Sequence, residues 1–252
     1  MSHLLVLKFG GTALGTPARL RRAVRRLAAH RAAGAEVVAV VSASGHTTDR
    51  ILRTLDRVQS GADVPATRET DRALATGEEL AAALVAAGLT TIGHPARSFR
   101  GGEAGLRAEG PFGGATLVQF DPEPLRRCLA AGVIPVVAGF QGTGEDSETR
   151  TLGRGASDLT AVYLAARLGA AECHIITDVD GVYDSDPRRA ADARRHALLS
   201  HAALLSLAED GAEIVHAGAA REALMSRVPL QVYSYTAPLR HRTGTWIREG
   251  AA

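Results

Sequence analysis

"EVVAVVSASGHTTD" (residues 36–49) decides how the rest of the chain is read. A continuous apolar run, Val37 to Val41, gives way to small hydroxyl residues, a glycine and then a helical pattern. A strand that is apolar on both faces has to be covered on both faces, and a parallel sheet between helical layers provides that cover. The strand–turn–helix order recurs along the chain. Strands are expected at 4–9, 36–43, 90–94, 133–140, 173–178 and 230–235. Helices are expected near 17–33, 47–59, 68–87, 122–131, 157–169, 200–210 and 217–226. This alternation predicts an α/β fold, a three-layer α/β/α sandwich with a mainly parallel central sheet.

Local signals set the expected helix ends. Ser157 is expected to cap the helix that Gly169 stops, and Asp121 precedes Pro122 at another start, with Gly132 as its stop. Thr47 or Thr48 is expected to cap the helix after "SASGH". The Gly-rich stretch 98–116 reads as a hairpin or flap over a cleft.

The chain has 252 residues, 46% of them hydrophobic and only 4% aromatic, so a core of Ala, Val, Leu and Ile is expected in one domain spanning 1–252. A net charge of +2 is no nucleic-acid footprint, and the arginine block 19–26 reads as a solvated helix face. Cys128 and Cys173 lie far apart in apolar contexts, so inert buried thiols are expected, with no disulfide or zinc spacing. No leader pattern and no 18-residue apolar run is read, which sets the expectation of a cytoplasmic protein with no membrane partner.

Lys8 is the sole lysine in a chain that otherwise writes its cations as arginine. It ends a strand and precedes "GGT". A lysine is a slim point charge, where arginine is a broad fork. Gly10 and Gly11 allow the backbone to approach an anion closely. Ser42, Ser44, Thr47 and Thr48 offer hydroxyls at a second such turn. "TLGRGASD" (151–158) sets Arg154 between glycines, suited to a bidentate grip on a carboxylate. Asp158 fits a cap, a metal ligand or a partner for Lys8. "TDVDGVYDSDPR" (177–188) is rich in aspartate, but its spacing is not that of an EF-hand loop. All four turns end expected strands, and in an open parallel sheet such loops converge on one crevice. Nucleotide-dependent phosphoryl transfer to a small anion follows from that gathering.

Taken in order, "KFGGT", "VVSASGHTTD", "TGEELAAALVAAG", "VVAGFQG", "TLGRGASDLTA", "TDVDGVYDSDPR" and "GAEIVHAGAAREALMSRVPLQVYS" resemble the amino acid kinase family, and within it the aspartokinase catalytic domain. The resemblance implies an ATP- and Mg²⁺-dependent kinase that phosphorylates the side-chain carboxylate of aspartate or a close analogue. It implies a substrate-binding lobe at about 1–150 and a nucleotide-binding lobe at about 151–252. Lys8 would stabilise the transferred phosphoryl group, with Asp158 orienting Lys8. Gly10, Gly11 and Thr12 would line the phosphates, and Thr177, Asp178, Tyr183 and Arg188 would hold ATP. Ser42, Thr47, Phe140 and Ser157 would border the amino acid, Glu78 would meet its ammonium, and Arg154 its α-carboxylate. No metal is assigned to protein ligands. A homodimer is the family-like expectation.

The chain also departs from the family pattern. Glu213 stands where a lysine is usual, Ala156 where a glycine is usual, and Glu79 where Arg or Gln is common. "HAGAA" replaces "HPRA", and "FRGGEAG" replaces a Trp-bearing flap sequence. No C-terminal ACT domain is expected. A kinase for another amino-acid carboxylate and a non-catalytic nucleotide-binding or regulatory subunit stand as alternative readings. Acetylglutamate kinase and uridylate kinase share the fold, but the wording of the 151–158 and 177–183 motifs disfavours them. Glu78 taken alone reads as a solvated helix residue.

Overall fold

The computed structural model describes residues 3–59, 66–185, 190, 192–210, 215–238 and 244–249. The chain begins with β1 (Leu4–Phe9), α1 (Gly11–Leu14), α2 (Pro17–Ala32), β2 (Glu36–Val41), α3 (Thr47–Val58) and α4 (Arg68–Thr91). It continues through β3 (Ala96–Phe99), β4 (Leu106–Glu109), β5 (Thr116–Phe120), α5 (Glu123–Ala130), β6 (Ile134–Ala138), β7 (Gln141–Thr143) and β8 (Thr149–Thr151). The last elements are α6 (Ser157–Leu168), β9 (Glu172–Thr177), β10 (Leu198–Leu199), α7 (His201–Glu209), α8 (Ala217–Ser226), β11 (Leu230–Ser234) and β12 (Thr245–Ile247).

The main sheet has the order β10-β12-β11-β9-β1-β2-β6-β3, so strands from both halves of the chain share it. Every described pairing in it is parallel except β11 with β12. The α/β sandwich expected from the alternation is therefore present. Alternate residues of β1 feed two cores. Leu5, Leu7 and Phe9 pack with α2 and the later turns of α4, while Val6 packs with α6 and α8. Lys8 has the parity of Val6 and so points toward the α6 face.

Strand β1 is the switch point. From it the sheet runs through β2 to β6 and β3 on one side, and through β9 to β11 on the other. Connections diverge there and leave a crevice at the carboxyl edge. A second sheet, β5-β4-β7-β8, is built partly from the expected flap, with β4 and β5 pairing antiparallel.

Three local expectations are corrected. Residues 90–94 are not a strand: α4 continues to Thr91, and the edge strand is β3 at 96–99. The alanine-rich run "ELAAALVAAGL" sustains the helix past the expected end. Ser157 is inside α6 rather than capping it, since Ala156 is the N-cap residue and no side chain caps that end. The N-cap position of α3 is His46, and Thr47 Oγ1 donates back to the Ser44 carbonyl at 2.7 Å. Helix α4 is also long and apolar enough to cross a membrane by length and composition, and half of that stretch is buried inside the protein. It is a core helix.

Candidate active site

Lys8 lies near the end of β1, with its Cα opposite Val40 on β2 and Ile175 on β9. Its ammonium meets Asp158 Oδ1 of α6 at 2.6 Å, and both side chains are 10% exposed. The backbone amide of His216, which precedes α8, donates to Asp158 Oδ2 at 3.2 Å. His216 Nδ1 in turn accepts from the Gly218 amide, so the start of α8 is tied to the pair. A buried charge left alone is costly, and this geometry gives each charge a partner.

The glycine turns let backbone strands come together above the pair. A Cβ on Gly10 would sit 3.6 Å from Lys8 Nζ, in ordinary van der Waals contact, so the Gly10 turn lies directly beside the ammonium. A Cβ on Gly11 would come within 2.7 Å of the Ala43 carbonyl oxygen. The Gly45 amide donates to the Gly11 carbonyl at 2.8 Å, which locks the turn after β1 to the turn after β2.

Helix α4 brings the third charged group. Leu74 packs with the α6-side core and Ala81, Ala82 and Val85 with the opposite one, so α4 passes from one core to the other. Glu78 lies between these stretches. Gly77 permits the crossing, because a Cβ there would strike the Ala43 Cβ at 2.8 Å. Glu78 is 4% exposed, which overturns its reading as a solvated residue. Its Oε1 accepts from the Ala43 amide at 2.9 Å, while its buried Oε2 has no hydrogen-bond partner. Burial pushes the carboxyl up to about 7, against the pull of the Ala43 amide and the Lys8 charge.

Asp71, one turn and more before Glu78, is fully buried and was not singled out from the sequence. Its Oδ2 accepts from the amides of Thr151 at 2.7 Å and Gly113 at 3.1 Å, and its Oδ1 from the Thr151 hydroxyl at 2.8 Å. It fastens α4 to the flap region and to the strand that enters the "GRGAS" turn. A signal for it was present. Asp71 and Glu78 both lie on the stripe of Leu74, Ala75, Ala81 and Ala82, where two carboxylates on a buried helix face call for partners. His216 gave no comparable signal, since only the fold sets its amide beside Asp158.

Phe140 holds φ 70 and is buried after β6. Left-handed backbone is costly for a bulky residue and collects at functional sites. Two bonds hold it: its amide donates to Thr160 Oγ1 at 3.1 Å, and its carbonyl accepts from the Leu152 amide at 2.9 Å. Ser157 packs so closely on Gly139 that a Cβ there would lie 2.9 Å from its Oγ. Ala156 has φ −70, so the alanine at that position carries no left-handed strain.

Ser42 follows β2, its amide bonded to the Phe9 carbonyl at 3.1 Å. Thr177 ends β9 and Asp178 follows it, with a 3.1 Å bond from Thr177 Oγ1 to Asp178 Oδ1. The remaining expected residues make other contacts. Arg154 reaches across to Asp49 of α3 at 3.1 Å, and the two side chains are 75% and 46% exposed. Thr12 is exposed, its carbonyl taken by Arg19. The Tyr183 hydroxyl donates to Asp180 Oδ1 at 2.7 Å. Arg188 and Glu213 lie outside the described residues. Cys128 and Cys173 are free and buried, and burial pushes the Cys173 thiol up, as inert thiols require.

Among the described residues no group of three or more His, Cys, Asp or Glu side chains is placed to hold a metal.

The open parallel sheet carries a lysine, a paired aspartate and glycine turns at its switch point, where α/β proteins of this class bind their ligands. Residues 3–234 match the model of the amino acid kinase family, and the chain belongs to that family. Aspartokinase 2 of Bacillus subtilis is 42% identical over 246 residues, which is 98% of this chain and 59% of that protein. The chain thus spans about three fifths of the length of the curated relatives it matches. Aspartate kinase from Synechocystis superposes with a TM-score of 0.85 at 34% identity, over 99% of this chain and 40% of that one. E. coli aspartokinase III, solved in complex with aspartate and ADP, also gives 0.85, at 24% identity over 99% of this chain and 65% of that one.

Proposed function

We propose that the chain transfers the γ-phosphoryl group of ATP to the side-chain carboxylate of L-aspartate, giving an acyl phosphate. The observation that carries this reading is the buried, unpartnered Glu78 Oε2 beside the Lys8–Asp158 pair. A carboxylate in that position asks for a cation, and an amino-acid ammonium supplies one. The aspartokinase relatives at about 40% identity support the same substrate.

The chemistry suits these residues. An aspartate side chain has a pKa near 4 and is ionised at neutral pH, so no general base is needed to make the nucleophile. The obstacle is repulsion between that anion and the triphosphate. Lys8 offsets it and stabilises charge that spreads over the transferring group. Asp158 holds the Lys8 ammonium in place at 2.6 Å. Gly10, Gly11 and Thr12 would border the phosphates; Thr177, Asp178, Tyr183 and Arg188 would hold the rest of ATP. Arg154 would leave Asp49 for the α-carboxylate, with Ser42, Thr47, Phe140 and Ser157 around the amino acid. Mg²⁺ would arrive with the nucleotide and lessen its charge. A homodimer and a cytoplasmic setting belong to this reading through the family alone.

A close analogue of aspartate is the second reading. It rests on the flap sequence "FRGGEAG", which departs from the Trp-bearing family pattern. The test is ATP-dependent hydroxamate formation in hydroxylamine, with aspartate, its 3-hydroxy and N-substituted analogues, glutamate and N-acetylglutamate. Aspartate hydroxamate absent from Lys8→Ala supports the proposal. Product only from an analogue moves the assignment to that analogue, and no product from any acceptor overturns the kinase reading.

A further inference from the structure

Helix α4 carries two buried carboxylates toward the candidate site, and the proposed reaction uses only Glu78. Asp71 precedes Glu78 by about two helical turns, ~10 Å along the axis, on the same buried face. It is 0% exposed. Among the described residues no cation pairs with it. The arginines on either side of that turn, Arg68 and Arg72, face Glu148 instead. Asp71 is met by donors from two distant segments: the amide and hydroxyl of Thr151 on β8, and the Gly113 amide between β4 and β5.

A second tie runs beside the first. Gln141, 1% exposed at the start of β7, donates from Nε2 to the Ala75 carbonyl at 3.2 Å. Both ties hold the first half of α4 to the second sheet. Past Glu78 the helix packs on the main sheet through Ala81, Ala82 and Val85. On the other side of the bond, little chain separates Thr151 from the site. The Leu152 amide holds the Phe140 carbonyl at 2.9 Å, and Arg154 follows between Gly153 and Gly155, with φ 87 and 84. Apolar contacts tolerate sliding. Hydrogen bonds to a buried carboxylate do not, because a donor that slips is left unpaired and out of water. A buried carboxylate is a costly way to fill a core and a firm way to fix one segment against another.

We propose that Asp71 is a positioning residue that sets the spacing between Glu78 and Arg154, and through it the length of amino acid accepted. The proposal rests on the aspartate reading above, in which those two residues hold the α-ammonium and the α-carboxylate. With both ends of the head group gripped, the reach of the side chain decides whether its carboxylate arrives beside Lys8. One methylene separates aspartate from glutamate in that reach. The bonds of Asp71 go to neither of the turns assigned to ATP, after β1 and β9, so the effect falls on the amino acid and not on the nucleotide.

The test is steady-state hydroxamate formation by the full chain with aspartate and with glutamate, below the melting temperature of each variant. Asp71→Asn should raise the KM for aspartate about tenfold and keep the KM for ATP within about twofold. It should also lower the preference for aspartate over glutamate in kcat/KM by about tenfold. Thr151→Val removes only the hydroxyl bond and should move the KM for aspartate and the preference in the same direction, by about threefold. Thr151→Ser, which keeps the hydroxyl, should restore both. If Asp71→Asn does not fold, the Thr151 pair carries the same test. A role in stability alone lowers the melting temperature and leaves the acceptor preference at its wild-type value, and that result overturns the proposal. So does an equal rise in both KM values, or Thr151→Ser behaving like Thr151→Val. Wild type without product from any acceptor overturns the kinase reading and this proposal with it, whereas an active wild type with unchanged preference in the variants overturns this proposal alone.

Discussion

The candidate site contains two ion pairs of opposite character. Lys8–Asp158 is 2.6 Å long and almost out of water, while Arg154–Asp49 is 3.1 Å long and largely in it. The first joins a central strand to the start of α6, and the second joins the turn before α6 to the first turn of α3. An exposed pair contributes little and exchanges partners readily, whereas a buried pair cannot lose one member without stranding the other. The difference teaches a division of labour. On the proposed reaction, the inner pair is preset for charge that develops at the transferred group, and the outer pair is a resting state that a substrate carboxylate would replace.

The sharpest way to break this comparison is Lys8→Arg. Arginine replaces the compact Lys8 ammonium with a broad fork that sets its charge elsewhere, so acyl-phosphate formation should drop by about 10³-fold, with the melting temperature little changed. Turnover near wild type would remove the inner pair from the mechanism. Asp158→Asn should follow, at about 10²-fold in kcat and with a smaller change in KM, because Lys8 loses its aim and the His216 amide loses a charged acceptor.

Glu78 sharpens the contrast through pH. Its folded value of about 7 lies above the ordinary 4.5, so the fold favours the protonated form. That stabilisation is fully present below pH 4.5 and is lost as pH rises through 7, by about 3 kcal/mol. Glu78→Gln should flatten the stability profile and be the more stable protein at pH 8. An ammonium ligand needs the ionised carboxylate, so the KM for aspartate should fall as pH rises through 7 in wild type. It should stay higher, by about tenfold, and flat in Glu78→Gln. A wild-type KM with no such slope would take Glu78 out of the ammonium site.

Smaller effects probe the outer pair. Arg154→Ala should raise the KM for aspartate about tenfold with kcat nearly kept, and Asp49→Asn should change it by no more than about threefold. A large fall in kcat for Asp49→Asn would mean that the outer pair is also preset. Ala156→Gly should be the mildest. With φ −70 there is no strain to relieve, so stability should fall by about 0.5–1 kcal/mol and activity should not rise.

The sequence read strands and turns better than partners. β1 and β2 were legible because "LLVLKF" and "EVVAVV" are apolar throughout, and only a two-sided burial uses such runs. The end of α4 was not, because "TTIGH" has β-branched residues that a well-packed helix overrides. Ser157 has the chemistry of a cap, but close packing on Gly139 takes it into the helix instead. Asp71 shows the same limit from the other side. Its position on an apolar stripe was readable, while its three donors come from residues 113 and 151, which only the fold brings near.

By itself, then, the sequence determined the parallel α/β architecture, the four turns at strand ends and the singular Lys8, because periodicity, glycine placement and residue chemistry are local properties. Only the tertiary structure decided which charges meet. It paired Lys8 with Asp158, buried Glu78 with one oxygen unmatched, set Arg154 on Asp49 and brought Thr151 and Gly113 to Asp71. Electrostatic energies depend on distance and on exclusion of water, and both are set by segments far apart in the chain.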